Sequence, residues 1–138
     1  MALVLDTHAV IWYLSGSKEL SPTALAVIGA AERNADEIYV SAISLVEIIY
    51  LAERGKIPPA ALERLKDVLR DRTGTMTVAP LNAAVADAIQ RIPRDTVPEM
   101  PDRIIAATAA HLNAELVTRD RKLHSAGILK AAGIRIVW

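Results

Sequence analysis

Hydrophobic and polar positions along this chain switch repeatedly between two spacings. Leu3 to Leu5 is a short continuous apolar run, typical of a strand buried on both faces. Glu37 to Ser41, Met76 to Ala79, Glu115 to Thr118 and Arg135 to Val137 read as four further strands. Helical spacing fills the intervals. His8 to Leu14 predicts a first helix, stopped at Gly16. Ser21-Pro22 starts a second, with serine as N-cap and proline at the first helical position, and it runs through Leu25, Ile28 and Ala31. Ser44 reads as the cap of a third helix, forming a capping box with Glu47, and that helix ends at Gly55. Pro58-Pro59 opens a fourth, carrying Leu62, Leu65, Val68 and Leu69. A fifth lies near Asn82 to Gln90, and Pro101-Asp102 begins a sixth reaching Leu112. The proline-rich stretch from Ile92 to Pro101 predicts an ordered, exposed loop. Strands separated by helices imply parallel βαβ units, so residues 1–138 read as one α/β domain.

Four acids break this pattern. Asp6 ends the first apolar run, Glu47 is the only charge between Val40 and Ala52, Asp102 opens the run Ile104-Ile105-Ala106-Ala107, and Asp120 follows Leu116-Val117-Thr118. A carboxylate beside buried apolar sequence is costly unless it is paired, hydrogen-bonded or metal-bound. Ligands of open parallel sheets sit beyond the carboxyl ends of the strands. Asp6 and Asp120 follow strands, Glu47 lies one turn into a helix that follows a strand, and Asp102 starts a helix, so all four can face one sheet edge. Two unit charges about 4 Å apart repel by roughly 4 kcal/mol at an effective dielectric of about 20. Converging carboxylates therefore protonate or recruit a cation, and an all-oxygen set suits Mg²⁺ or Mn²⁺. Each acid also has a structural reading: Asp6 as an N-cap, Glu47 as half of a capping box, Asp102 as a normal helix start and Asp120 as a solvated turn residue. Their joint placement favours a shared site.

Composition removes other chemistries. With 138 residues and 52% hydrophobic content the chain can bury a core, which excludes a disordered protein. There is no cysteine, so disulfides, thiolate zinc sites and thiol nucleophiles are absent. No apolar run reaches the roughly 18 residues of a membrane span, and no charged region precedes the first strand as in a signal peptide. A cytoplasmic protein without a membrane association is the expectation. The 16 basic and 16 acidic residues cancel, which argues mildly against a dedicated nucleic-acid-binding domain, yet the C-terminal third is rich in arginine and lysine. His8 reads as structural or solvated, Ser44 lacks a His–acid arrangement, and no glycine-rich phosphate loop occurs. Trp12 and Tyr13 read as core or interface residues.

The segments Leu5-Asp6-Thr7-His8, Val40 to Ile48, Pro101 to Ala109 and Leu116 to Asp120 stand in the order seen in PIN-domain proteins, and the chain resembles the short VapC-type toxins of bacterial toxin–antitoxin pairs over essentially its whole length. The resemblance implies a five-stranded parallel sheet ordered 3-2-1-4-5 between helices. It implies a Mg²⁺-dependent ribonuclease, with Asp6, Glu47, Asp102 and Asp120 holding the metal. Thr118 matches the polar position before the last acid, and Thr7 is a weaker candidate for a similar part. A homodimer and a cognate VapB-type antitoxin whose tail blocks the acidic site are also implied, with apolar surface around Trp12, Tyr13 and the second helix as the expected dimer face. Asp95 and Glu99 are expected to add negative charge at the rim, to be offset for an RNA substrate by Arg103, Arg119, Arg121 or Lys122. Two rivals remain: a PIN-like scaffold that binds RNA or an antitoxin without cutting, and a receiver-type signalling domain. The latter lacks support in the sequence, since Asp6 stands alone and Val78-Ala79-Pro80 offers no acceptor aspartate.

Overall fold

The computed structural model describes residues 1–124, 130 and 132–138. Five strands, β1 (Leu3–Leu5), β2 (Ile38–Ser41), β3 (Met76–Ala79), β4 (Glu115–Val117) and β5 (Ile136–Val137), form one parallel sheet in the order β3-β2-β1-β4-β5. The helices are α1 (Thr7–Ser15), α2 (Pro22–Arg33), α3 (Ala42–Glu53), α4 (Pro59–Arg70), α5 (Ala83–Ala88), α6 (Met100–Leu112) and the short α7 (Arg121–His124). The last was not expected from the sequence, and a 3₁₀ turn at Ile89–Arg91 follows α5.

The central strand shows why the sheet must be covered on both faces. Leu3 and Leu5 point into one core with Val10, Ile28, Ile48 and Leu65, whereas Val4 points into another with Val85, Ile105, Ala106 and Leu116. A strand with period-two alternation between two apolar cores reads in sequence as one continuous hydrophobic run. α6 lies deep against the second core: Ile104 through Ala109 are all buried, and the small alanines let the helix approach the sheet closely.

Local signals explain most boundaries. Ser21 Oγ accepts from the Ala24 amide with Pro22 in the first turn of α2. Gly16 ends α1 in the left-handed region at φ 65°, and the amides of Gly16 and Ser17 donate to Tyr13 and Trp12 carbonyls, which satisfies two orphan acceptors. Two expectations need correction. β2 runs straight into α3, and Ser41 rather than Ser44 is the cap, its Oγ accepting from the Ile43 amide. The Ser44–Glu47 capping box therefore does not form; both residues already lie inside the helix. The proline-rich segment is not merely an exposed loop either. Ile92 and Val97 are fully buried and anchor it to the core around Val85 and Ile105.

Strand register brings the carboxyl ends of the three middle strands level, pairing Leu5 with both Val40 and Val117. The chain order reverses between β1 and β4, so the switch point lies between Asp6 and Thr118, where crevices of open sheets bind ligands.

Candidate active site

Asp6 leaves β1 with its amide bonded to the Val117 carbonyl, and its Oδ1 accepts from the Ala9 amide at 2.8 Å. It is thus the N-cap of α1, as its structural reading held, and it also faces the crevice, where it lines a cavity of about 370 Å³ with His8, Trp12, Asp102, Arg119 and Asp120. Burial pushes the Asp6 carboxyl above the ordinary range. The hydrogen bonds from Thr118 and Ala9 and the charge of His8 oppose that rise, while Asp120 adds to it.

Thr118 is wholly buried and ties the two strand-end acids together. Its Oγ1 accepts from the Asp120 amide at 3.0 Å, and the hydroxyl opposes the rise that burial imposes on the Asp6 carboxyl. Asp120 Oδ1 in turn accepts from the Lys122 amide, which fixes the turn into α7.

Glu47 is held from the other side. Thr7 Oγ1 donates to Glu47 Oε1 at 2.6 Å and stands 3.0 Å from the buried Ser44 Oγ. One hydroxyl carries one proton, so Ser44 can donate to Thr7 as Thr7 donates to Glu47. The sequence marked Thr7 weakly and misread Ser44 altogether. The signal for this chain of hydroxyls was the placement of Ser44 one turn before Glu47, on the same helix face.

Asp102 lies in the first turn of α6, half-buried. Burial first, then the charges of Asp120, Glu47, Glu99 and Asp6, push its carboxyl up to about 6. All four acids therefore share one electrostatic neighbourhood, and Glu99 adds rim charge as expected. Asp95 is exposed in the adjoining segment.

The donor set is all carboxylate oxygen, which suits a hard divalent cation. Among the described residues, however, no three acidic or histidine side chains stand ready to hold an ion together. A small cation that keeps several of its waters needs only one or two direct carboxylates, the others acting through water. The residues fit such an ion, not a closed protein cage.

The expected cations divide. Arg119 lines the acidic cavity, ion-pairs with Glu19 at 2.8 Å and lies over the Trp12 ring at 4.5 Å. Arg121 lines the neighbouring cavity with Arg119, His124 and Trp138, and Lys122 is on the same short helix. Arg103 does something else: its guanidinium donates to the carbonyls of Ile89 and Ile92, clamping the proline-rich segment onto α6. It satisfies buried backbone and is not placed as a substrate cation.

Comparison with known proteins agrees with this fold. The PIN domain family model matches residues 3–129. A relative from Mycobacterium tuberculosis (strain ATCC 25618 / H37Rv), Ribonuclease VapC22, is 35% identical over 125 residues, covering 89% of this chain and 90% of the relative. Among solved structures, VapBC2 from Rickettsia felis bound to a promoter DNA fragment superposes with a TM-score of 0.71 at 17% identity, covering 100% of both chains. A toxin–antitoxin complex from Klebsiella pneumoniae gives 0.66 at 24% identity, covering 96% of this chain and 94% of that one. The topology that the resemblance implies is the one observed, and the chain belongs to the PIN-domain family, in its VapC-type branch.

Proposed function

We propose that this chain is an endoribonuclease that hydrolyses RNA phosphodiesters with Mg²⁺, or Mn²⁺ in its place, and serves as the toxin of a type II toxin–antitoxin pair. The observation that carries this reading is the shared field of Asp6, Glu47, Asp102 and Asp120 at the topological switch point, felt in the raised Asp102 carboxyl. The similarity to Ribonuclease VapC22 supports the activity. The toxin–antitoxin assemblies among the fold neighbours are the reason to look for a VapB-type partner. A homodimer and a cytoplasmic site of action belong to the same reading; no helix of the described residues is long and apolar enough to cross a membrane.

When bound, the cation supplies a polarised phosphoryl oxygen, a water of lowered pKa and charge for the leaving oxyanion. Asp6, Glu47 and Asp102 would hold it, with Asp120 contributing directly or through water. Thr7 and Ser44 keep the Glu47 carboxylate aimed, and Thr118 sets Asp6 and Asp120 relative to each other. Single-stranded RNA or the loop of a structured RNA suits the open crevice, because its backbone and bases are accessible. Arg119, Arg121 and Lys122 offset the acidic rim for that substrate.

Cleavage of total cellular RNA by purified protein tests the reading, with Mg²⁺ or Mn²⁺, then with chelator, beside Asp6→Asn. Asparagine is as good an N-cap as aspartate, so the variant keeps α1 and its fold. Discrete metal-dependent fragments that vanish in the variant are expected; retained cleavage by folded Asp6→Asn sinks the mechanism.

A second reading, a scaffold that binds RNA or antitoxin without turnover, is favoured by the open spacing of the acids. Tight metal-dependent RNA binding without cleavage by a folded, antitoxin-free protein would select it. The receiver alternative is set aside, because doubly wound receivers order their strands 2-1-3-4-5 and this sheet runs 3-2-1-4-5.

A further inference from the structure

From the two adjoining cavities that share Arg119, we infer a subsite for the single-stranded RNA beside the cut position, formed by Arg119, Arg121, His124 and Trp138. This rests on the ribonuclease reading for the identity of the strand. The first cavity carries the acids Asp6, Asp102 and Asp120. The second, about 540 Å³, is lined among the described residues by Arg119, Arg121, His124 and Trp138 and by no acid. Polarity thus reverses across one arginine. A polyanion cannot lie along the acidic cavity except where a cation sits, so its flanking phosphates must leave in the direction where the field turns positive. Among the described residues Arg119 is the only side chain that lines both cavities, and it marks that direction.

The aromatic groups follow the same line. His8 and Trp12 rings are 5.3 Å apart, and Trp12 and Trp138 rings are 6.0 Å apart, so three rings step from one cavity into the other. Arg119 covers one face of Trp12 and is held by Glu19, so it is preorganised over an aromatic ring. Trp138 is half-buried against the core and lines the second cavity, which gives it a fixed ring beside open space. His124 is fixed as well, its Nε2 donating to the Thr118 carbonyl at 2.6 Å, two residues before Asp120. Arg121 is exposed and makes no ion pair among the described residues. Arginines for phosphate and a rigid aromatic face for a base are the two components of sequence-tolerant single-strand recognition. Arg121 and Trp138 are the residues assigned to phosphate and base, with Arg119 and His124 positioning the strand where it leaves the acids.

The test measures binding of a short fluorescein-labelled single-stranded RNA to Asp6→Asn protein in Mg²⁺, so that cleavage does not intervene. Arg121→Ala should weaken binding about tenfold and flatten the dependence on salt by the equivalent of one phosphate contact. Trp138→Leu should weaken it by a similar about tenfold factor, and Trp138→Phe should restore most of the loss, since phenylalanine keeps a stacking face. The chain has two tryptophans, so Trp12→Phe leaves Trp138 as the sole indole, and saturable quenching of its emission by RNA is expected. Unchanged affinity in Arg121→Ala together with unquenched Trp138 overturns the subsite. So does a loss of antitoxin-tail affinity with RNA affinity intact, which would make the cavity a protein-docking site. In the otherwise native protein, Arg121→Ala should raise KM for RNA cleavage about tenfold while kcat moves far less. Cleavage with KM unchanged removes the subsite and leaves the ribonuclease standing. RNA binding through Arg121 and Trp138 in a protein that cuts no RNA removes the ribonuclease and leaves the subsite standing.

Discussion

Thr7 is the residue whose single hydroxyl connects helix α1 to the acid on α3. Replacing it with the near-isosteric valine removes the donor at 2.6 Å from Glu47 Oε1 and leaves Ser44 without its neighbour. Loss of a hydrogen bond to a charged group costs about 1.5–3 kcal/mol when both partners are buried, and Glu47 is half-buried, so Thr7→Val should sit near the lower end by thermal unfolding. Outer-shell partners of metal ligands typically change metal affinity or activity by about 10- to 100-fold. A comparable loss of RNA cleavage is expected in Thr7→Val, with recovery in Thr7→Ser; full activity in the valine variant would show that Glu47 needs no such aim. Asp102 gives a prediction with a sign. Its folded carboxyl lies near 6 against an ordinary value of 3.8, so the native state binds the proton more tightly than the unfolded chain. In chelator, stability should therefore fall as pH rises from about 4 through 6, and the midpoint Tm should be higher at pH 5 than at pH 7.5. The effect is well below the full linkage value, because the half-exposed carboxyl is screened by solvent. Asp102→Asn should reduce that slope, leaving the part that the raised Asp6 carboxyl contributes; an unchanged slope would place its origin elsewhere. Both residues were readable only in part from sequence. Asp102 announced itself as a charge ahead of an apolar run, whereas the partners of Glu47 were hidden by a tie. Ser41 and Ser44 are equally good caps by residue type, and only the absence of a loop between β2 and α3 decides between them.

Among the elements, α6 carries the greatest burden. It presents Asp102 to the crevice from its first turn while six consecutive residues, Ile104 to Ala109, are buried behind it. The run Ala106-Ala107 leaves no room between helix and sheet, so Ala106→Leu should overpack the core at a cost of about 1–3 kcal/mol. Because the helix can relieve that strain by shifting away from β1 and β4, the variant should lose cleavage out of proportion to its drop in Tm. Equal activity at a temperature where the variant stays folded would mean that the position of Asp102 tolerates such a shift. The beginning of α6 was legible from Pro101-Asp102 within one residue, as were the strands β1 and β3, since proline and uninterrupted apolar runs admit few readings. The preceding segment was not. Its prolines pointed to a surface loop, but prolines constrain backbone without saying which side chains between them are buried. Ile92 and Val97 are core residues, and Arg103 supplies the donors that let the carbonyls of Ile89 and Ile92 be covered. An arginine expected to meet phosphate is consumed in holding the frame. Sequence shows where a cation is, while the unsatisfied carbonyls that claim it come together only on folding.

At the scale of the molecule, formal neutrality conceals a strongly divided charge distribution: one crevice of acids and, across Arg119, a cavity with arginines and histidine. Apolar surface is divided too. Trp12 and Tyr13, expected at an interface, are half-buried against the core, whereas Val46, Ile49 and Tyr50 of α3 are exposed. The shared sheet edge was legible because strands separated by helices run parallel, which brings the acids following β1 and β4 to one end, but their spacing was not, since it depends on side-chain direction. On the proposed reading, that spacing would make a cation a stabilising ligand rather than a structural necessity. The folded chain without metal tolerates its four acids by raising carboxyl pKa values and by the hydroxyl contacts of Thr7 and Thr118. A ligand that binds only the native state adds RT ln(1 + [L]/Kd), about 2.7 kcal/mol at a hundredfold excess over Kd. Titrating Mg²⁺ or Mn²⁺ into chelator-treated protein should thus raise Tm by several degrees and abolish most of its pH dependence between 5 and 7.5, because a bound cation disfavours the protonated carboxyls. Asp102→Asn should start from a higher Tm at neutral pH, having lost one repelling charge, and should gain less from the metal. The two effects have opposite sign in one variant, which no general loss of folding can imitate. Identical metal-induced shifts in the native protein and in Asp102→Asn would mean that the cation binds elsewhere and that the four acids are held together by the fold alone.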